Sequence, residues 1–329
     1  MCKRGLDRPE LRSSHPTMPR GTFRSVKSLA PWLVAALVGA FFVHAFRRNW
    51  GSIQAHPFEL RPGYAILSLS AFVFTGLLAT YAWHKSVNEI SVTKLTFRES
   101  IATTNASSMV KYIPGKVWSY ALQMYWLSRR GIPKSLVIYV NLINIAVSLL
   151  MAAALGGTLL LAVSSASPAT TVALLSVLVL LDLLCIKFNA RIVDLTLAVA
   201  SRLLRKEIRR FNVPIHLLVE LHIIHMAASV TFALAVYFAS FAVGYEITGR
   251  EALTVMATFL LSEVAAFLTF ISPGGLGVRE SVMYALLGGS ESGSLALLVP
   301  LAARMISMVA DVVLGGIALR LLKSANGSH

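Results

Sequence analysis

The residues best placed to do chemistry are charged ones in apolar surroundings: Lys111, Lys116, Glu263, Arg279, Glu280, Arg304 and Asp311. A charge near the centre of a bilayer costs about 2.5 to 3.5 kcal/mol on insertion scales, so each needs a counter-charge, water or a substrate. Lys111 and Lys116 bracket Pro114 and Gly115, while Arg279 and Glu280 follow a turn containing Pro273, Gly274, Gly275 and Gly277. Helix starts beyond such turns direct backbone N–H groups without intrahelical partners into the same space. Cations and amide donors together suit an anion such as a lipid phosphate. Arg304 and Asp311, seven apart, share a helix face, and Glu263 or Asp311 offers a carboxylate for coupling a proton. The structural alternatives are that Glu280 or Asp311 neutralises Arg304 and that Lys111 snorkels to the interface.

Trp118 and Tyr120 follow the first break closely enough to line a headgroup pocket, although interfacial anchoring is the usual role of such residues. Asn141, Asn144 and Ser148 form one helical stripe, and His222, His225 and Ser229 another. Interhelical hydrogen bonding explains such stripes more often than ligand contact does. No metal is expected, because a closed site needs four donors and Glu220 projects from a different face than His222 and His225. No P-loop or Asp-x-Asp pattern is present, and the Asp residues stand scattered at 7, 182, 194 and 311. Neither cofactor nor enzymatic activity is expected. An intramembrane transferase using Glu280 as base would lack a nucleophile or metal set.

The elements that must hold these residues are membrane helices. Of 329 residues, 56% are hydrophobic and 14% charged, with a mean hydropathy of +0.70, whereas soluble domains are about 25% charged. Apolar runs long enough for about 30 Å of hydrocarbon lie at 29–46, 64–84, 135–163, 168–186, 214–243 and 295–322. Two further segments, 97–127 and 252–287, carry the Pro-Gly breaks and read as re-entrant hairpins. The expected fold is therefore an all-α polytopic membrane protein of six full spans plus two hairpins.

Loop charge orients it. Segments 1–28, 85–134, 187–213 and the C-terminal end hold 24 of the 30 Lys and Arg, so these regions are expected on the cytoplasmic side of the inner membrane with both termini. The net charge of +15 is then a consequence of topology and of attraction to anionic lipid, which argues against nucleic acid as a partner. Residues 1–28 are expected to be a disordered basic tail, 29–322 one transmembrane domain, and 323–329 a polar tail. The first apolar run reads as a retained anchor because no small-residue cleavage site follows it. Cys2 and Cys185 are too few for a disulfide framework.

Pro114 and Pro273 are 159 positions apart (273 − 114). At that offset, 64–84 falls on 223–243 and 135–163 on 294–322. Two units, about 64–163 and 214–322, thus each read as span, broken hairpin, span, and their loop charges give them opposite topology. This is the layout of inverted-repeat transporters; the plain alternative is two proline-kinked helices. The segment 187–213 has no counterpart and alternates Leu and Ile with Arg, as either a basic amphipathic helix on the inner surface or a plain solvated linker helix would.

The run Lys111-Tyr-Ile-Pro-Gly-Lys-Val-Trp118, with Pro273-Gly-Gly-Leu-Gly-Val-Arg-Glu280 and a later span containing Arg304, resembles the lysylphosphatidylglycerol synthase transmembrane region, also called the flippase-like family. The similarity covers roughly 30–322. It implies a polytopic inner-membrane protein that moves a modified lipid, or a lipid-linked glycan on a polyprenyl carrier, between leaflets. It singles out Pro114, Gly115, Pro273, Gly274, Gly275, Gly277, Arg279, Glu280 and Arg304. No segment resembles the soluble aminoacyl-transferase domain, so the membrane step alone is the implied activity. The rival expectation is a non-transporting subunit that docks a glycosyltransferase or lipid-modifying enzyme through the basic inner surface.

Overall fold

The computed structural model describes residues 50–55, 59–112, 118–163, 211–269, 278–287 and 295–326, with isolated positions at 47 and between 167 and 202. The expected span 29–46, most of 168–186, most of 187–213 and both Pro-Gly turns lie outside the described residues. The principal helices, in chain order, are α1 (Pro62–Ile90), α2 (Phe97–Ser108), α3 (Trp118–Ser128), α4 (Lys134–Val163), α5 (Ile215–Ala242), α6 (Gly249–Leu268), α7 (Val278–Leu286) and α8 (Leu295–Asn326). No strand occurs among the described residues.

Local chemistry sets several of the boundaries. Pro62 opens α1, where its missing N–H leaves nothing unsatisfied. A capping box opens α2: Thr96 N–H donates to Glu99 Oε2 at 2.8 Å and Glu99 N–H to Thr96 Oγ1 at 3.3 Å. Gly244, at φ +87°, follows the end of α5 in a left-handed conformation that suits glycine.

Five helices are long and apolar enough to cross a membrane: α1, α4, α5, α6 and, within α8, Leu298–Lys323. Four of them coincide with sequence-expected spans. The fifth departs from expectation, because α6 was read as one arm of a hairpin. Its 20 residues, Gly249–Leu268, are apolar enough overall to span and at about 1.5 Å per residue reach about 30 Å. The corresponding first arm, α2, has 12 residues and a run of Thr103, Thr104, Asn105, Ser107 and Ser108. It is too short and too polar to cross, and most of those residues are buried against neighbouring helices.

Helices α1 and α5 form the most extensive pair and run antiparallel. Along their seam, Arg61 N–H donates to Ala242 O at 3.0 Å, Ser68 Oγ to Ala235 O at 2.7 Å, and the Thr75 and Thr231 hydroxyls lie 2.8 Å apart. Ion pairs close both ends: Arg61 with Glu246 at 2.6 Å, and Lys85 with Glu220 at 2.9 Å. Around this pair the packing comes in matched couples. The α4–α6 contact is matched by α2–α8, α4–α5 by α1–α8, α5–α6 by α1–α2, α5–α8 by α1–α4, α6–α7 by α2–α3, and α3–α4 by α7–α8. The list is unchanged when α1 and α5, α2 and α6, α3 and α7, and α4 and α8 trade places. The largest buried cluster joins Phe72 of α1 to Val236 and Ala239 of α5, Phe259 of α6, Met283 of α7 and Val299 of α8.

Small residues allow the closest approaches, as they do between membrane helices generally. A Cβ added at Gly156 of α4 would lie 3.1 Å from Leu260 Cβ and 3.2 Å from the Ala257 carbonyl of α6. At Gly315 of α8 it would lie 2.5 Å from Met109 Sδ, just beyond α2.

Candidate functional site

Between the helices lies a cavity of about 350 Å³. It sits at mid-span: Gly76, Ser148, Ala228 and Asp311 line it, and each is at or within one residue of the midpoint of a membrane-length helix. Its apolar wall includes Phe72, Phe232 and Phe259, whose rings pack at centroid distances of 5.6 and 5.1 Å. Against that wall stand four of the charged residues singled out from sequence: Glu263 of α6, Arg279 of α7, and Arg304 and Asp311 of α8.

Arg279 occupies the first turn of α7, the positive end of the helix dipole, which disfavours a cation. Glu263 offsets this by forming an ion pair with the guanidinium, Nη2 to Oε1, with side chains 13% and 27% exposed. A half-buried pair of this kind approximately balances the loss of hydration, and removing one partner is the costly change. Arg279 Nε–H is buried and has no hydrogen-bond partner among the described residues. Arg304 is 8% exposed and lines the same cavity, as the i, i+7 spacing to Asp311 requires. Two guanidinium groups and two carboxylates thus meet an aromatic wall, an arrangement able to hold an anion and to exchange charge partners as it arrives or leaves.

A second cavity, of about 360 Å³, adjoins the first; Gly76, Ala79, Ser148, His225 and Asp311 are among the residues lining both. Its remaining polar lining is neutral: Thr80, Thr104, Asn105, Ser108, Gln123, Asn141 and Asn144. Here the two expected polar stripes meet. His225 Nε2 and Asn144 Oδ1 lie 3.1 Å apart, and Asn144 Nδ2 donates to Ser86 Oγ at 2.9 Å. Asn141 Nδ2 donates to Gln123 Oε1 at 2.9 Å, and Gln123 Nε2 to Ser107 Oγ at 2.9 Å. These bonds tie α1, α2, α3, α4 and α5 together, the interhelical role such stripes usually have.

The other expected site residues fall elsewhere. Trp118 is 54% exposed at the start of α3 and Tyr120 half-buried, and neither lines these two cavities. Lys111 lies in the turn Met109–Tyr112 and Glu280 in α7, with side chains outside the described set. Pro114, Gly115, Lys116, Pro273, Gly274, Gly275 and Gly277 also lie outside the described residues. Glu220, set aside as a metal ligand, instead pairs with Lys85.

Sequence reading passed over Thr104, Asn105 and Gln123, which are ordinary polar residues until α2 and α3 are folded against α4. One signal was legible: Leu155-Gly156-Gly157 recurs as Leu314-Gly315-Gly316 at the same 159-residue offset as the prolines. The first glycine of each copy is the one pressed against α6 or the end of α2.

A family model described as Lysylphosphatidylglycerol synthase TM region matches residues 24–315. Comparison with curated proteins and with solved structures gives no match.

Proposed function

The chain belongs to the lysylphosphatidylglycerol synthase TM region family, and from that we propose that it moves an anionic or glycosylated lipid, or a polyprenyl-phosphate carrier, between leaflets of the inner membrane. The observation that carries the proposal is the mid-span cavity, in which Arg279 and Arg304 face the same space and Arg279 Nε–H has no partner among the described residues. Intramembrane charges in such a cavity mark a substrate path by default. The phosphate binds against the two guanidinium groups while the tails remain in lipid.

In this reading the two Pro-Gly segments are hairpin tips of an inverted repeat, with both termini cytoplasmic. The antiparallel α1–α5 pair, the matched packing couples and the repeated Leu-Gly-Gly support it. Rocking of one unit against the other exposes the cavity to each leaflet in turn. Lys116 beside the first tip adds a third cation. The chain acts as a carrier and not as an enzyme. Coupling passes through Glu263, which becomes available when an incoming phosphate takes Arg279, or through Asp311, which lines the same cavity.

The test is reconstitution in vesicles with lipid labelled in one leaflet. The double variant Arg279→Ala with Arg304→Ala is expected to lose translocation at least about tenfold, the equivalent of about 1.4 kcal/mol. An unchanged rate would count against a translocator and favour the rival role, a membrane subunit that docks a glycosyltransferase or lipid-modifying enzyme.

A further inference from the structure

The second cavity differs in chemistry from the first although equivalent positions line both. At the 159-residue offset, Glu263 corresponds to Thr104, Arg304 to Ile145, and Ser307 to Ser148. The first member of each couple lines the charged cavity and the second the neutral one. One half of the repeat therefore supplies ionic groups at two positions where the other supplies a hydroxyl, Thr104, and an aliphatic side chain, Ile145. Among its described lining residues the neutral cavity has no Lys or Arg, and Asp311 is its one carboxylate.

The orientation of two amides defines what this chamber lacks. Asn105 Nδ2 donates to Ile101 O at 3.2 Å and Asn141 Nδ2 to Val137 O at 2.8 Å. A backbone carbonyl only accepts, so the Nδ2 of each amide must face it. Oδ1 of both residues then points away from that bond, and neither Oδ1 carries a hydrogen bond among the described residues. The Ser148 hydroxyl likewise carries none among them. These atoms are acceptors available to donors on a ligand, and the buried Trp83 Nε1–H, which also belongs to the lining and has no partner among the described residues, is a donor available in turn.

We infer that the neutral chamber receives an uncharged, hydroxyl-bearing headgroup, a sugar or polyol, while the attached phosphate lies against Arg279 and Arg304; the inference rests on the translocator reading. Hydroxyls donate to Asn105 Oδ1 and Asn141 Oδ1 without the cost of stripping water from an ion. An aminoacyl headgroup would bring an ammonium group with Asp311 as its one carboxylate here, and Asp311 also lines the charged cavity beside Arg279 and Arg304. The volume of about 360 Å³ falls within the range of about 300–1,000 Å³ typical of small-molecule pockets.

The test is binding of short-chain phosphatidylinositol, phosphatidic acid and lysylphosphatidylglycerol to the purified full chain in detergent. Phosphatidylinositol is expected to bind about tenfold tighter than phosphatidic acid, the yield of one or two added hydrogen bonds, and lysylphosphatidylglycerol no tighter than phosphatidic acid. Asn141→Leu should bring the first ratio near one. Gln123→Glu, which keeps the side-chain shape and adds a charge, should shift preference toward the lysyl lipid, a gain that misfolding cannot produce. The assignment is overturned if the wild-type chain prefers the lysyl lipid, if it does not distinguish phosphatidylinositol from phosphatidic acid, or if the variants weaken all three lipids equally. Should the expected binding order hold while labelled phosphatidylinositol stays in its leaflet, the translocator reading fails and the chamber assignment stands. Should the lysyl lipid cross while phosphatidylinositol fails to bind, the reverse follows.

Discussion

His225 of α5 and Asn144 of α4 are hydrogen-bonded, Nε2 to Oδ1 at 3.1 Å, and both are buried where the two cavities adjoin. Asn144 also donates to Ser86 of α1, so a single amide joins three helices. Asn144→Leu removes the partner of both residues and leaves polar atoms buried. We expect it to cost about 1–3 kcal/mol, seen as a lower melting temperature of the purified protein. A variant as stable as the wild type would show that water replaces the amide.

The Glu263–Arg279 pair gives a reciprocal prediction. Glu263→Gln or Arg279→Gln alone leaves the opposite charge half-buried and should lower thermal stability. The exchange Glu263→Arg with Arg279→Glu should recover part of the loss, and the carboxylate then lies in the first turn of α7, where the helix dipole favours it. If the exchange is less stable than either single variant, the pair does not act through its charge.

Gly156 and Gly316 are expected to behave in opposite ways. Gly156→Val drives its side chain toward the Ala257 carbonyl and the Leu260 stem, and overpacking of this kind costs about 1–3 kcal/mol. A Cβ at Gly316 meets nothing within 4 Å, so Gly316→Ala should be neutral or gain up to about 1 kcal/mol of helix propensity. Melting temperatures of the two variants test this directly.

Glu99 predicts an acid dependence. Burial pushes its carboxyl upward, but the Arg130 side chain, the Thr96 backbone N–H and the Thr96 hydroxyl together hold it below the usual range. A lowered folded-state value means that the stabilisation is complete above the unfolded value of about 4.3 and is lost as pH falls through the folded value. Glu99→Gln should lower stability at pH 7 and weaken the further loss on acidification, measured as melting temperature against pH.

Much of the architecture was legible because span length and apolarity are properties of short windows. The runs at 64–84, 135–163 and 295–322 fall within long helices, and 214–243 matches Ile215–Ala242 to one residue at each end. The convergence of Glu263, Arg279, Arg304 and Asp311 could also be anticipated, since an intramembrane charge needs company. The partner of Arg279 could not, because the choice among Glu263, Glu280 and Asp311 depends on how α6 returns to α7. Trp118 and Tyr120 enter the expected site through proximity in sequence to Lys116, yet Trp118 is exposed at the start of α3 and neither residue lines the two cavities. Thr104, Asn105 and Gln123 escaped notice for the opposite reason, since nothing about a short polar segment says that it will be buried.

The α1–α5 seam is pinned near both ends, by Arg61–Glu246 and by Lys85–Glu220. Two rods fastened at both ends make an axle, and an axle constrains the movement of whatever turns on it. A rotation about that axle would leave the seam intact while changing the distance between α4 and α8, which pack against it. If the chain transports as proposed, a reporter pair on residues 61 and 246 is expected to read one distance throughout the cycle, whereas a pair spanning α4 and α8 is expected to read two.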